Sequence, residues 1–357
     1  MDVSGFPGFD LAASAAADLR SRIGELTRQA AGGERATSYA GLGADALQAM
    51  DLRAELNRRQ VVSRGIDLGG NIADATQLVL KQLISTGTDI TSRATALVGL
   101  SAVDVQSIAD TAKGALQEVV SLLGEQYGGA ALFGGDDLGN SPVVDPGQIE
   151  DTGLYKGIKA QVQSLGGGNA QAVLDATMTL AKSDDPAITP FSEHASAAAQ
   201  GQVADSRRSV PIGEGVSIAV GLYANRNAAA TSSGATTGSW SRDLIRGLSI
   251  LANLGPDQAA QGADFTTLVK GAVAALQSGV DGVTDEAAIL GGVQQRLDSA
   301  KTRNQDISDQ VELQLGNLEN VDMAETITRL QSTQTQLQAS YKCLAMLGEI
   351  SLVNFLN

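Results

Sequence analysis

Apolar residues near the N-terminus recur in alternating steps of four and three, the spacing of a helix that packs lengthwise against another helix. These positions are Ala12, Ala16, Leu19, Ile23, Leu26 and Ala30. Several glycines between 32 and 43 follow this segment. Because glycine favours turns, they predict the end of the first helix.

A much longer helical pattern begins at about Asp45, with apolar stripes that continue from Leu52 to Leu97. A helix of roughly 45 residues would extend about 70 Å at 1.5 Å per residue, which is typical of a rod. Gly69 and Gly70 interrupt the pattern. Since a glycine in a helix interior costs about 1 kcal/mol, a kink or break is expected there.

A third helix is predicted from Val105 to Leu123, and it ends in a glycine-rich passage.

The middle of the chain, roughly 141–283, has a different pattern from the helices before it. Further on, strict alternation over 216–222 predicts a strand, and the preceding "GEG" turn makes 204–212 its partner in a β-hairpin. Two amphipathic helices are predicted over 239–254 and 264–280, and Trp240 is assigned to packing within this region.

Heptad spacing returns at about Thr284 and continues through Leu318. After a junction at "NLENVD", the last helix repeats the rhythm of the first helix. Its stripe comprises Met323, Ile327, Leu330, Gln334, Leu337, Tyr341 and Leu344. Beyond it, "LAMLGEISLVNFL" is apolar on nearly every side, as a helix surrounded by neighbours needs to be.

These patterns predict a mainly α fold, in which N- and C-terminal heptad helices form a long helical-bundle rod with an inserted α+β middle domain. The predicted division has three parts. Residues 1–44 and 319–357 form a terminal helical segment, 45–144 and 284–318 form the rod, and 145–283 form an outer domain with a β-hairpin.

Composition narrows the classes of function. The formal net charge of −15 opposes binding to nucleic acid, whose phosphates carry the same sign. One Cys and one His are too few for a Cys/His zinc site. The sequence contains no run of 18 apolar residues, so it predicts no membrane-spanning helix. The first residues show neither the basic nor the apolar region of a secretory signal peptide.

The sequence gives little evidence for catalytic residues. His194 is interpreted as a histidine in a loop or at a helix end, and Cys343 as a small buried hydrophobe, since neither has the neighbours that activate such groups. Asp136, Asp137 and Asn140 lack the spacing of a calcium loop and predict a solvated turn. The chain is therefore expected not to be an enzyme and to need no cofactor or metal.

The C-terminal sequence "LGNLENVDMAETITRLQSTQTQLQASYKCLAMLGEISLVNFL" resembles the last helix of the flagellin and hook-associated protein family. The matching elements are Val321–Asp322, Ala324–Ile327, Leu337–Ser340 and Ser351–Leu356. A weaker resemblance extends from Leu19 to about Leu83. Together the similar regions cover roughly the first 145 and last 75 residues, and the resemblance does not extend to the middle of the chain.

The resemblance implies a structural subunit of the bacterial flagellum whose terminal helices are disordered in the free subunit and form the innermost tube after head-to-tail assembly. The apolar residues of these helices are then the expected subunit interface. They are Leu19, Ile23, Leu26, Met323, Ile327, Leu330, Leu337, Tyr341, Leu344, Leu347, Ile350, Leu352 and Phe355.

Within the family, "GGAALFGGDDLGNSPV" is similar to a passage of the subunits at the hook–filament junction, so that position is favoured. The main filament subunit remains the alternative, and a cytoplasmic coiled-coil adaptor is the alternative from another class.

The resemblance also implies partners and location. The partners are copies of the chain, neighbouring axial proteins and an export chaperone on the C-terminal helix, without nucleic acid or membrane. The location is the extracellular flagellum, reached by the flagellar type III route without a cleaved signal peptide.

Overall fold

The computed structural model describes the backbone of residues 7–97, 102–199, 207–228 and 230–356, and side chains within 11–97, 104–197, 207–228 and 230–346. Most of this backbone is helical. The helices are α1 (Pro7–Gly32), α2 (Tyr39–Leu42), α3 (Ala46–Thr95), α4 (Ala102–Leu123), α5 (Gly153–Gln163), α6 (Ala170–Lys182), α7 (Glu193–Ala199), α8 (Trp240–Ala252), α9 (Pro256–Ala259), α10 (Ala263–Glu319) and α11 (Met323–Leu356).

Short 3-10 helices occupy Gly43–Asp45 and Pro146–Asp151. Two small antiparallel hairpins, β1 (Gln126–Tyr127) with β2 (Ala130–Ala131) and β3 (Ser209–Gly213) with β4 (Val216–Ala219), complete the described elements. The predicted mainly α fold is thereby confirmed, as is the hairpin around the "GEG" turn, where Gly215 adopts a positive φ of 69°.

The predicted break at Gly69 and Gly70 is wrong, because α3 continues through both residues. Gly69 is buried and faces β3, where an added β-carbon would lie 2.5 Å from Cγ2 of Val210. Gly65, one turn earlier, lies against Pro211 in the same way, at 3.1 Å. These glycines let the hairpin approach the helix backbone closely, so packing with β3 offsets their poor helix propensity.

The two helices predicted on either side of Thr284 are one helix of 57 residues, α10. Gly279 and Gly282 within it lie against Leu244 and Trp240 of α8, with 2.6 and 2.7 Å from an added β-carbon to the closest atom. As in α3, glycine provides room for a packed neighbour and does not end the helix.

The chain separates into two compact units. Unit 1 comprises Met1–Val61 and Gln305–Asn357, and unit 2 comprises Val62–Asn304. The three-part division predicted from the sequence stays a prediction.

Unit 2 is organised around α8, whose residues from Trp240 to Leu251 are all buried. Helices α4, α5 and α6 pack against it. Trp240 meets Phe133 edge to face at 6.2 Å between ring centroids, which agrees with its predicted packing role. The sequence predicts an amphipathic α8. Most of its polar residues are instead buried with partners, such as Arg242 with Asp184 and with the carbonyl oxygen of Ala181.

Within unit 2, α3 and α10 run antiparallel. Lys301 Nζ lies 2.7 Å from Asp67 Oδ1, and Gln294 Nε2 donates to Asp74 Oδ1 at 2.6 Å. A residue seven positions later in α3 therefore contacts a residue seven positions earlier in α10. Apolar residues of both helices belong to the same hydrophobic core, for example Leu80 and Leu83 of α3 and Leu290 and Leu297 of α10.

Candidate subunit interface

Unit 1 contains an antiparallel pair of helices, α1 and α11, which brings the two ends of the described chain together. On α1, Ala16 and Leu26 are buried, and Leu19 and Ile23 are half-buried between them. These positions follow the four-and-three spacing predicted for the first helix. The described part of α1 therefore forms one half of a coiled-coil seam.

The seam on α11 is shifted by one residue from part of its predicted stripe. Leu330, Leu337 and Leu344 are half-buried as predicted, but the seam positions that alternate with them are Thr326, Thr333 and Ser340. Thr326 and Thr333 are the most buried of the described α11 side chains, and Thr333 Oγ1 donates to the carbonyl oxygen of Arg329 at 2.7 Å. This internal hydrogen bond lets a hydroxyl occupy an apolar seam.

Because threonine and serine occupy the seam, other apolar residues of α11 lie outside it. Met323 and Ile327 each retain 42% of their accessible surface, and Tyr341 retains 38%. Tyr341 lies at the seam edge, where Arg20 of α1 donates to its hydroxyl and stands 5.2 Å from the ring centroid. We call Met323, Ile327 and Tyr341 the open flank of α11.

The thirteen residues predicted for the subunit interface thus have different positions. Six lie in the seam within the chain: Leu19, Ile23, Leu26, Leu330, Leu337 and Leu344. Three form the open flank. The side chains of Leu347, Ile350, Leu352 and Phe355 lie outside the described residues. Their role in subunit contacts stays a prediction.

The connection between α10 and α11 is held by backbone hydrogen bonds to the segment after α1. Gly33, which has a positive φ of 73°, ends α1, and its carbonyl oxygen accepts from the amide of Val321 at 2.9 Å. The amide of Arg35 donates to the carbonyl oxygen of Glu319 at 2.7 Å. The sequence predicted both turns but carried no signal that they pair.

Asp322 begins α11 as its N-terminal cap. Its Oδ1 accepts from the amides of Ala324 and Glu325 at 2.9 and 3.1 Å, which satisfies two amides of the first turn. This gives a physical reason for the "VD" step that precedes the helix in the sequence.

An ion pair fixes the end of α10. The guanidinium of Arg53 donates to both carboxylate oxygens of Glu319 at 2.8 Å and lies 5.6 Å from the ring centroid of Tyr39. The hydrogen bonds that Arg53 donates to the carboxylate of Glu319 stabilise the charged guanidinium and raise the pKa of Arg53. No sequence spacing could indicate this contact, because 266 positions separate the two residues.

The remaining candidates from the sequence are His194, the turn that contains Asp136 and Asp137, and Cys343. His194 is near the start of α7, as predicted for a helix end, and its Nε2 lies 2.8 Å from Asp136 Oδ1. Asn140 donates to both oxygens of Asp137 within the predicted turn. The prediction that Cys343 is buried is wrong. It is exposed because the seam buries only one side of α11.

The bacterial flagellin C-terminal helical region matches residues 273–356, which include all of α11 and most of α10. This part of the chain is therefore similar to the C-terminal region of flagellins. The resemblance of the C-terminal sequence to the flagellin and hook-associated protein family is confirmed. The same residues form one side of the α1–α11 seam and carry the open flank.

Two curated relatives and one solved structure are also similar to this chain. Flagellin B of Rhizobium meliloti is 32% identical over 120 residues, which are 32% of this chain and 30% of the relative. Flagellin A of the same organism is 33% identical over 115 residues, 31% of this chain and 29% of the relative. The chain therefore spans about a third of the length of these relatives.

The structure of a putative flagellar hook-associated protein from Vibrio parahaemolyticus is similar with a TM-score of 0.51. The similarity covers 77% of this chain and 97% of that one at 11% sequence identity, so it concerns the fold. Among the described residues, no helix is both long enough and apolar enough to cross a membrane.

Proposed function

We propose that this chain is a structural subunit of the bacterial flagellum, which assembles head-to-tail with copies of itself through α1 and α11. The observation that carries this proposal is the open flank. An apolar surface remains exposed on the helix that matches the flagellin C-terminal region. Exposed apolar patches on helices mark association surfaces, and head-to-tail contacts that do not close into a ring produce helical tubes.

The free energy gained by burying the open flank is large enough to favour assembly. Complete burial of a Met, Ile or Tyr side chain contributes about 1.5–3 kcal/mol, and Met323, Ile327 and Tyr341 each expose roughly two-fifths of their surface. The gain per subunit is therefore a few kcal/mol from these residues alone. Because every subunit has several neighbours in a tube, the gain recurs along the assembly.

Within the flagellum, we propose a position at the hook–filament junction. The support is the passage 128–143 and the fold similarity to a protein described as hook-associated. A position along the filament is the second candidate, because both curated relatives are flagellins. In either position the chain has a mechanical role and performs no catalysis.

The proposed partners are copies of this chain and the adjoining axial proteins. Before assembly, a flagellar export chaperone would cover α11 and prevent premature contacts. The proposed location is extracellular, in the flagellum, and export would follow the flagellar type III route without signal-peptide cleavage.

A tag in the β3–β4 turn tests the position directly, since Glu214 is exposed there. We would insert a short epitope after Glu214 and label whole cells with gold-conjugated antibody. A junction subunit gives gold at one point near the cell end of each filament, and a filament subunit gives gold along its length. Labelling only after the cells are permeabilised would overturn the proposal and favour the cytoplasmic adaptor.

A further inference from the structure

A groove of about 730 Å³ lies in unit 1, where the end of α10 meets the start of α11. Leu313 of α10 lines this junction groove and retains 66% of its accessible surface. Asp309, Glu312 and Asp322 line it as well, and none of its described lining residues is basic. None of these three carboxylates forms an ion pair with another described residue. The junction groove therefore presents an exposed apolar side chain within an acidic surface.

The opposite end of the described α11 side chains is basic. Lys342 is exposed and forms no ion pair with another described residue. Arg20 of α1 stands over the ring of Tyr341 and donates to its hydroxyl, which is a neutral acceptor. Asp18 is two residues from Arg20, and the helical rotation of about 200° places it on another side of α1. We call Arg20, Tyr341 and Lys342 the basic edge.

The basic edge continues the open flank of α11. Tyr341 belongs to both, and Gln338 lies one turn before Lys342 and is also exposed. About 30 Å of helix separates Lys342 from Asp322 at the junction groove. The basic edge and the junction groove are therefore too far apart to pair within one chain, and each needs a partner from outside it.

We propose that the junction groove of one copy receives the basic edge of the next copy, an inference that rests on the assembly proposed above. Lys342 and Arg20 would lie among the carboxylates, and Tyr341 would cover Leu313. Two copies that each carry a net charge of −15 repel one another, so a contact between basic and acidic side chains offsets part of that repulsion. Because the two surfaces differ, the contact is heterologous and repeats from copy to copy.

Charge reversal tests this contact in the purified chain, with sedimentation as the measure of polymer. Glu312→Lys or Lys342→Glu alone should raise the lowest concentration at which polymer forms about tenfold, because like charges then face each other. Both changes in one chain put opposite charges together again and should restore most of the loss. Lys159→Glu makes the same change at an exposed position of α5 and should have no effect. Thermal unfolding of all these variants should match that of the wild type, since the positions are exposed.

Cross-linking identifies what occupies the groove. In a Cys343→Ser background, Asn317→Cys in the groove and Gln338→Cys on the flank provide two thiols that more than about 20 Å of helix keeps apart. A short bismaleimide should then link successive copies into a ladder of oligomers larger than dimers. Either cysteine alone can give dimers at most.

The outcomes separate this contact from the proposed function. Wild-type polymer together with unaffected charge variants and no ladder would refute the contact and leave the proposed function in place. A ladder of equal strength when Glu214→Cys replaces Asn317→Cys would show random collision and would also refute the contact. A wild-type chain that forms no polymer at any concentration would contradict the proposed function as well.

Discussion

Gly69 of α3 lies directly against Val210 of β3, so closely that a β-carbon on the glycine would stand 2.5 Å from Cγ2 of the valine. The next residue, Gly70, has no atom within 4 Å of such a β-carbon. Two consecutive glycines of one helix therefore have different roles. One permits the hairpin to dock on the helix, and the other carries only the cost of glycine in a helix.

This difference predicts opposite effects of alanine. Gly69→Ala should lower the free energy of unfolding by about 1–3 kcal/mol, because the β-branched Val210 has little freedom to move aside. Gly70→Ala is the matched control and should raise it by up to about 1 kcal/mol through better helix propensity. Chemical denaturation monitored by circular dichroism measures both. A stabilising Gly69→Ala would mean that β3 does not pack on α3.

The glycine pair also shows what the sequence could and could not predict. Glycines in a helical pattern predicted a break, because propensity was the only local information. The residue that compensates, Val210, is 141 positions away and belongs to a hairpin whose docking surface no periodicity specifies. The hairpin itself was predictable, since alternation and the Gly213–Gly215 turn are local signals.

Buried polar residues of α8 were unpredictable for the same reason. Both oxygens of Asp243, which is fully buried, accept two hydrogen bonds each: Oδ1 from the amide and hydroxyl of Thr237, and Oδ2 from the hydroxyls of Thr236 and Ser278. Read from sequence, an aspartate on a helix indicates a solvated face. The donors that reverse this expectation come from a loop and from α10.

Asp243→Asn should therefore destabilise unit 2 by about 2–4 kcal/mol. An amide nitrogen in place of either oxygen would face donors, and the backbone amide of Thr237 has no freedom to rotate away. Asp281→Asn removes the same charge from an exposed position and should change stability by less than about 0.5 kcal/mol. Thermal unfolding compares the two variants. Equal melting temperatures would show that Asp243 is solvated.

The pair of Arg53 and Glu319 should couple measurably within unit 1. Half of the Arg53 side chain is exposed, so solvent screens the interaction, and we expect about 0.5–1 kcal/mol despite the two hydrogen bonds. A double-mutant cycle of Arg53→Gln and Glu319→Gln measures it in unfolding experiments. The i, i+4 pair of Arg93 and Asp89 is the control for an ordinary surface pair, with an expected coupling of about 0.3–0.5 kcal/mol. A coupling near zero for Arg53 and Glu319 would exclude a role in fixing the end of α10.

The seam of α11 shows a further gap between sequence and structure. Leu330, Leu337 and Leu344 were predictable from their heptad spacing, but the positions that alternate with them could have been Ile327 and Tyr341 or Thr326 and Ser340. Hydrophobicity favours the first choice. The structure has the second, which leaves Ile327 and Tyr341 exposed and so available for the subunit contact that we propose.

That register gives the most direct test of the proposed assembly. Ile327→Asp places a carboxylate on the open flank, where the free subunit keeps it solvated, so unfolding of the free subunit should change by less than about 0.5 kcal/mol. In the assembled tube the same carboxylate would be buried without a partner, at a cost of several kcal/mol per subunit, and assembly and motility should be lost. Sedimentation of polymerised protein and a swarming assay measure these outcomes.

Two matched variants separate the flank from the seam and from the rest of the surface. Leu330→Asp places a carboxylate in the α1–α11 seam. It should lower the stability of the free subunit and also weaken assembly, because Leu330 is half-buried within its own chain. Val216→Asp changes an exposed apolar residue of the β3–β4 hairpin and should spare both. If Ile327→Asp assembled normally while Val216→Asp did not, the contact surface would lie on the hairpin, and the open flank would have no part in assembly.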